Sequence, residues 1–214
     1  MRKVFYTYLT PEDPYRKYTT NYDNKFTGVL NDQPGNMILG EVACYDKIIN
    51  EAKLMGYDFI ETAQVRRHLD MPEYPNTDKV YHTWYYLLDD NVNFWYGMHG
   101  NDLLEKAAKV IVTKYPEYAE ATRFVFTNNL IFPHNMFAMS LERFEQYNNW
   151  LRSIICMLDI PLDPPKCGSL LAERLFTIWC IHNFAMKDQA WVTAKVYNKN
   201  TGKLIENAIN GVAD

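Results

Sequence analysis

Apolar and polar residues follow one another along the chain in blocks that predict strands and helices. Residues 4–8 form a short β-rich run, and a long polar segment over 10–35 follows it. Residues 41–55 repeat apolar side chains at helical spacing, and residues 57–60 predict the next strand. The order strand, helix, strand indicates a wound α/β sheet.

The second half of the chain continues this mixture. An aromatic, apolar run over residues 80–88 stops at Asp89 and Asp90, which predicts a buried strand that ends at a polar edge. Ser140 and Ser169 are the expected N-caps of two apolar helices. No linker divides the chain, so we expect one domain over residues 1–214. The further predicted helices cover 101–114, 141–158 and 170–184, and the further predicted strands cover 123–127, 130–139 and 191–197.

Composition adds one unusual feature, because 16 Tyr, 11 Phe and 5 Trp make up 15% of the 214 residues. A net charge of −4 argues against a nucleic-acid or anionic-membrane binder, since both partners favour a basic surface. No apolar stretch reaches the ~18 residues of a membrane span. The four cysteines form no C-x-x-C pair. We therefore expect a soluble, cytoplasmic protein with reduced thiols.

Acidic side chains supply a first candidate site. Asp89 and Asp90 follow the predicted strand over 80–88, and ligands of open α/β sheets bind beyond the carboxyl ends of strands. Carboxylates at such a position can hold Mg²⁺ or Mn²⁺, but a turn or a helix cap explains the same pair. Asp78 is a competing ligand, because Asn76-Thr77-Asp78 resembles a degenerate D-x-D motif. The choice stays open.

Basic and polar residues supply further candidates. Arg66 and Arg67 follow the strand predicted over 57–60 and can grip phosphates through their fork geometry, or pair with nearby acids in a turn. His134 and Asn135 lie in an aromatic stretch, where donors and acceptors beside a ring suit sugar hydroxyls. A satisfied core histidine is the alternative.

Glu173 is a single carboxylate in the first turns of an otherwise apolar helix. It is either a surface residue that the helix dipole stabilises or a general base in a pocket. The sequence contains no Walker A loop, nucleophile elbow, G-x-G-x-x-G or H-E-x-x-H motif. Kinase, hydrolase and dehydrogenase chemistry therefore lose their usual support.

Two blocks of the second half resemble a family of glycosyltransferases from bacterial capsular-polysaccharide clusters and some large viruses. One block contains Asn135-Met136-Phe137, and the other contains Glu173-Arg174-Leu175. The likeness spans residues 28–184, and the short chain resembles a glycosyltransferase domain encoded by a chlorella virus. Gln64 and Val65 depart from it, because the family has His and Tyr there.

The resemblance implies a GT-A-like (Rossmann-like) α/β fold, with a central mixed sheet of about six strands flanked by helices. It also implies transfer of a sugar from a UDP-sugar donor to a glycan or sugar acceptor, in surface or capsid glycan synthesis, with Mn²⁺ or Mg²⁺. A non-catalytic carbohydrate-binding module on a degenerate transferase fold is the alternative. Neither interpretation involves nucleic acid or a membrane span.

The same resemblance assigns roles to the candidates. The end of the first strand would seat the uridine, and Tyr8 would stack on the base or cover the core. The acidic ligands would hold the metal ion, and Glu173 would be the base if the reaction inverts the anomeric centre. The implied contacts are Thr7, Tyr8 and Leu9 for the nucleotide, Arg66 and Arg67 for phosphate or donor sugar, His134 and Asn135 for sugars, and Asp89 and Asp90, or Asp78, for the metal.

Overall fold

The computed structural model describes residues 2–8, 26–30, 39–64, 67–83, 85–162 and 167–196, the first two segments as backbone only. Its strands form a large mixed sheet and a separate two-stranded sheet. In chain order the strands are β1 (Arg2–Tyr8), β2 (Phe26–Leu30), β3 (Phe59–Gln64), β4 (Arg67–Leu69), β5 (Val80–His82), β6 (Tyr86–Leu87), β7 (Leu130–Ile131), β8 (Phe137–Ser140), β9 (Gln189–Trp191) and β10 (Ala194–Val196).

The large sheet has a common direction for most of its strands. β1 lies between β2 and β3 and runs parallel to both, as the strand–helix–strand pattern predicts. β8 pairs antiparallel with β3 and β5, and β9 runs parallel to β5. β1, β2, β3, β5 and β9 therefore end on one side of the sheet, at Tyr8, Leu30, Gln64, His82 and Trp191. We call this side the carboxyl edge, and it is where α/β sheets bind ligands.

The predicted number of about six strands is wrong. Among the described residues the large sheet contains eight, of which only β1, β2, β3 and β8 are longer than three residues. β2 lies inside the segment 10–35, which the sequence pattern predicts to be a loop. Residues 123–127 are helical rather than extended. β4 and β10 extend the sheet beyond the end of β3, where Gln64 pairs with Arg67.

The sequence predicts one strand over residues 80–88, but the structure contains two short strands there. β5 ends at His82, and β6 pairs with β7 in the two-stranded sheet. The hydroxyl of Thr83 donates to the carbonyl of Pro133 at 3.2 Å, where the chain leaves the large sheet. Pro133 has no N–H for a ladder, which accounts for the division of the predicted strand 130–139 into β7 and β8.

Helices cover the sheet, and none in the described residues is long and apolar enough to cross a membrane. The helix predicted over 41–55 begins as a 3-10 helix at Gly40–Cys44 and ends at Gly56, whose φ of 69° suits a glycine C-cap. Ser140 caps the helix after β8, as predicted, by accepting from the N–H of Arg143. The α-helices are α1 (Tyr45–Met55), α2 (Asn91–His99), α3 (Leu103–Lys114), α4 (Ala119–Thr127), α5 (Leu141–Ile155) and α6 (Cys167–Asn183).

α6 lies in the core, since 12 of its 17 residues are buried. The ring of Phe176 stacks on Phe137 of β8, with ring centroids 4.7 Å apart. The prediction that Ser169 caps this helix is wrong, because α6 begins at Cys167 and Ser169 is buried within its first turn. Buried polar side chains require partners, so the few on α6 indicate where its surroundings are not apolar.

Candidate active site

Three polar side chains on one face of α6 hold the segment 132–135, which precedes β8. Ser169, Glu173 and Thr177 are four residues apart and therefore lie on the same side of the helix. Each contacts one residue of the segment, so the segment is fixed against three successive turns. The contacts are Asn135 Nδ2 to the carbonyl and hydroxyl oxygens of Ser169 (both 3.0 Å), the His134 N–H to the Glu173 carboxylate, and the Phe132 N–H to Thr177 Oγ1 (2.9 Å).

His134 has a backbone conformation that few residues adopt. Its φ is 65°, in the left-handed region, where residues other than glycine are uncommon and histidine is among those tolerated. This turn lets the His134 N–H reach the Glu173 carboxylate while Asn135 faces Ser169. Such backbone conformations cluster at binding and catalytic sites.

Asn135 joins the segment to the 3-10 helix Gly40–Cys44. Its Nδ2 also donates to Glu41 Oε1 at 3.0 Å, and its carbonyl accepts from the hydroxyl of Thr62 in β3 at 3.0 Å. The residue is only 3% exposed. These contacts bring a second carboxylate, that of Glu41, beside the face of α6 that carries Glu173.

Glu173 has the electrostatic surroundings of a proton acceptor. Burial raises its pKa from 4.5 to about 7. The ion pair with Arg174 (2.8 Å) opposes this rise, the charge of Glu41 adds to it, and the His134 N–H lowers the pKa by binding the carboxylate. The side chain keeps 15% exposure, so solvent or a ligand reaches it. A carboxyl group that titrates near neutral pH suits general acid–base catalysis.

Arg174 connects this carboxylate to α2. Its guanidinium lies over the ring of Trp95, with the central carbon 5.3 Å from the ring centroid. His99 packs on the same ring at 4.2 Å, and both burial and the charge of Arg174 lower its pKa. We call the following residues the Glu173 cluster: Glu41, His134, Asn135, Ser169, Glu173 and Arg174.

Most of the described residues predicted to bind the donor lie at the carboxyl edge. Thr7 pairs with Gln64, and Tyr8 ends β1 beside β2. Arg67 is the first residue of β4 at the same edge and lies near the Tyr86 phenol. Burial raises the pKa of Tyr86, and the charge of Arg67 opposes this rise. His134 and Asn135 precede β8, whose beginning lies at this edge because β8 runs antiparallel to β3. The predicted contacts Leu9 and Arg66 lie outside the described residues.

Asp89 and Asp90 belong to the beginning of α2. Asp90 Oδ1 accepts from the N–H of Asn93 at 2.8 Å, so this carboxylate is a helix N-cap. The carbonyl of Asp89 accepts from Asn129 Nδ2 at 2.9 Å. The helix-cap interpretation that the sequence leaves open therefore accounts for Asp90, and its role as a metal ligand stays a prediction.

Asp78 lies at the opposite side of the large sheet from the Glu173 cluster. Its carbonyl accepts from Arg143 in the first turn of α5 at 2.7 Å, and its N–H binds Asn76 Oδ1 at 2.8 Å in a local turn. It borders an open cavity of about 620 Å³ beside Ser140, where β8 ends. The structure therefore does not bring Asp78 together with the predicted donor-binding residues.

The fold is similar to part of a glycosyltransferase of known structure. The apo structure of WbbM, a bifunctional glycosyltransferase, matches 99% of this chain with a TM-score of 0.66 and 16% sequence identity. The chain spans 47% of that protein's length, and a likeness at this identity describes the fold alone.

The sequence itself belongs to a defined family. The domain of unknown function DUF4422 matches residues 15–184, most of the chain, so the protein is a member of that family. No curated protein has a significant sequence match to the chain.

Sequence reasoning missed several members of the site. Glu41 gave no signal, because it stands alone in a helical pattern without a motif, and Trp95 lies in a stretch for which the sequence pattern predicts no helix. The polar positions Ser169, Glu173 and Thr177 did carry one, since a four-residue polar spacing on an apolar helix predicts a buried polar face. The interpretation of Ser169 as a helix cap leaves it outside the helix, so it does not use that spacing.

Proposed function

We propose that the protein is a glycosyltransferase that moves a sugar from a UDP-sugar to a hydroxyl group of a glycan acceptor, inverting the anomeric centre. Synthesis of a surface or capsid glycan is the proposed setting. The observation that carries this proposal is the partly buried Glu173 carboxyl group, whose pKa burial raises to about 7, at the carboxyl edge of a glycosyltransferase-like fold.

In the proposed reaction the acceptor oxygen forms a bond with the anomeric carbon while the bond from that carbon to the diphosphate oxygen breaks. UDP departs with the electron pair of the broken bond, and Glu173 takes the proton of the acceptor hydroxyl. A positioned base of this kind contributes about 10²- to 10⁴-fold to a rate. Glu173 must be ionised to act, so we expect the rate to rise with pH and level off above its pKa of about 7.

Those proposed donor contacts that the structure describes lie along the carboxyl edge. Arg67, together with Arg66, would contact the diphosphate, because guanidinium groups match phosphate oxygens in pairs. Thr7, Tyr8 and Leu9 would seat the uridine, and His134 and Asn135 would face the sugar. This assignment rests on the shared position of the described members and on the resemblance to glycosyltransferases.

A divalent ion, Mn²⁺ or Mg²⁺, is expected from the resemblance, with either Asp89 and Asp90 or Asp78 as its ligands. Asp78 lies across the sheet from the Glu173 cluster, and Asp90 caps α2. The described part of the chain contains no group of three His, Cys, Asp or Glu side chains arranged to hold an ion. We therefore assign no step to a metal. Titration of the protein with UDP in the presence and absence of Mn²⁺ measures the dependence directly.

The central test is release of UDP from UDP-sugars by the wild-type protein and by Glu173→Gln. The substitution removes the proton acceptor but keeps the size of the side chain, so we expect kcat to fall by about 10²- to 10⁴-fold. Glu145→Gln is the matched control, because Glu145 pairs with Lys53 on the surface of α5. Its kcat should equal that of the wild type.

Two outcomes contradict the proposal. Equal kcat for Glu173→Gln and the wild type would exclude Glu173 as the base. No UDP release from any UDP-sugar, with glycan binding retained, would favour the alternative of a carbohydrate-binding module.

A further inference from the structure

We infer that Arg174 is a positioning residue for Glu173, and that Trp95 of α2 holds its guanidinium in place. This inference rests on the proposed role of Glu173 as a base and names the device that controls it. Arg174 touches Glu173, Leu170 and the Trp95 ring, and it acts through the carboxylate rather than on a substrate.

The geometry of the pair is unusual for neighbours on a helix. Consecutive residues point about 100° apart around the axis, so their side chains do not normally face each other. Arg174 meets Glu173 because its chain folds toward the N-terminus of α6, where Nη1 donates both to Glu173 Oε2 (2.8 Å) and to the Leu170 carbonyl (3.1 Å). A long, flexible side chain keeps such a position only if something holds it.

Trp95 supplies that restraint from outside α6. Its ring lies against the guanidinium, is itself 1% exposed, and is fixed by a hydrogen bond from Nε1 to Asn101 Oδ1 at 3.0 Å. A cation held over an aromatic face away from water is stabilised more than one at a surface. The contact with Trp95 of α2 therefore helps to hold the Arg174 cation beside the Glu173 carboxylate.

The groups around Glu173 differ in what they contribute to its charge. Arg174 is the cation in contact with the carboxylate, whereas Glu41 is an anion that disfavours ionisation. Tyr45 and Tyr147, on which the charge of Glu173 acts, stay neutral because burial raises their pKa values well above the ordinary value. The groups that face Glu173 or its ion pair are Arg174 on α6, Glu41 on the 3-10 helix, the His134 N–H, Tyr45 on α1, Tyr147 on α5 and, beyond Arg174, His99 on α2.

The test measures the protonation of Glu173 directly, by ¹³C NMR of glutamate carboxyl carbons between pH 4 and about 11, a range that includes the midpoint expected after a rise of up to 3 units. In Arg174→Met the cation is lost, so we expect the pKa of Glu173 to rise by about 1 to 3 pH units. Arg174→Lys should restore at least half of the difference, because it returns the charge without the fork. Trp95→Leu should give a smaller rise than Arg174→Met, since the cation remains but loses its restraint.

Two further variants keep the test decisive. Arg174→Gln retains a hydrogen-bond donor for the carboxylate, and it replaces Arg174→Met if that variant fails to fold. Arg152→Met removes an arginine that pairs with Asp46 on the surface, and it should leave the Glu173 titration unchanged. A Glu173 midpoint that stays at the wild-type value in folded Arg174→Met or Arg174→Gln would overturn the inference.

The pH profile of UDP release separates this inference from the proposed function. We expect the acid limb of kcat to move to higher pH in Arg174→Met, together with the NMR midpoint. If the midpoint moves but the wild type releases no UDP, the proposed function fails and the positioning role stands. If UDP is released but the midpoint does not move in the Arg174 variants, the positioning role fails and the proposed function stands.

Discussion

His82 and Glu173 are two titratable side chains whose pKa values shift for the same main reason, because burial favours the uncharged form of each. The pKa of His82 falls from 6.5 to about 4, and that of Glu173 rises from 4.5 to about 7. His82 is 1% exposed and lies between the rings of Phe132 and Trp191, at 4.1 and 4.4 Å.

The two residues differ in their partners. Both ring nitrogens of His82 lie within hydrogen-bond distance of neutral protein oxygens, the Thr83 carbonyl (2.9 Å) and Gln189 Oε1 (3.2 Å). Glu173 instead meets a cation, lies near a second carboxylate and keeps a partly exposed side chain. A shifted pKa alone therefore does not mark a catalytic residue, whereas a shifted pKa with charged neighbours and access does.

The largest expected change in stability comes from removing the titration of His82. Its pKa is lowered by folding, so its contribution to stability is complete above pH 6.5, declines as the pH falls toward about 4, and is constant below that. At about 1.4 kcal/mol per pKa unit the loss is about 3 kcal/mol. In His82→Phe this part of the pH dependence should disappear from urea unfolding measured at pH 7, 5.5 and 4.

The control for this experiment is the same substitution at His182, an exposed residue at the end of α6. It should keep the wild-type loss of stability between pH 7 and 4. An equal pH dependence in His82→Phe and the wild type would show that His82 is not the group responsible.

A smaller effect, of opposite sign with pH, is expected for Glu173. Folding raises its pKa, so ionising the folded protein costs stability that grows as the pH rises from 4.5 to about 7. The free energy of unfolding of Glu173→Gln, measured with urea at pH 8, should therefore exceed that of the wild type by about 2 kcal/mol, since partial exposure of Glu173 reduces the penalty. At pH 4 the difference should nearly vanish. A variant less stable than the wild type at pH 8 would contradict this.

The smallest expected effect comes from weakening the cluster without changing a charge. Ser169→Ala removes one of the three oxygens around Asn135 Nδ2 and leaves the Ser169 carbonyl and Glu41 in place. We expect a loss of about 1 kcal/mol in the free energy of unfolding. Thermal unfolding of the variant at pH 7 measures it. A loss above that of His82→Phe would mean that Ser169 does more than hold Asn135.

The pattern of the sequence predicts the parts of this fold that are set locally. The helix over 41–55 and its end at Gly56 follow from apolar spacing and a glycine that adopts positive φ. The break after His82 does not, because it depends on a hydrogen bond from Thr83 to a carbonyl fifty residues away. β2 is also hidden, since a strand of five residues with a glycine at its centre carries little pattern and forms by pairing with β1.

The candidate site divides in the same way. Glu173 was predicted because a carboxylate on an apolar helix is conspicuous, and its two possible environments give opposite roles. Only the fold places Glu41 and Trp95 beside that helix, from segments separated from it by more than seventy residues in the chain. Asp90 was equally conspicuous, but its carboxylate caps α2, a helix that the pattern of aromatic residues did not predict.

The attachment of segment 132–135 to three turns of α6 has a consequence for local unfolding. The N–H of Phe132 and that of His134 are bonded to the side chains of Thr177 and Glu173, so both amides are protected from exchange while these contacts hold. Although they lie outside regular structure, both amides should exchange at the slow rate of the buried helix. We therefore expect the segment and α6 to form one cooperative unit, in which the residues proposed to face the sugar and the proposed base open together.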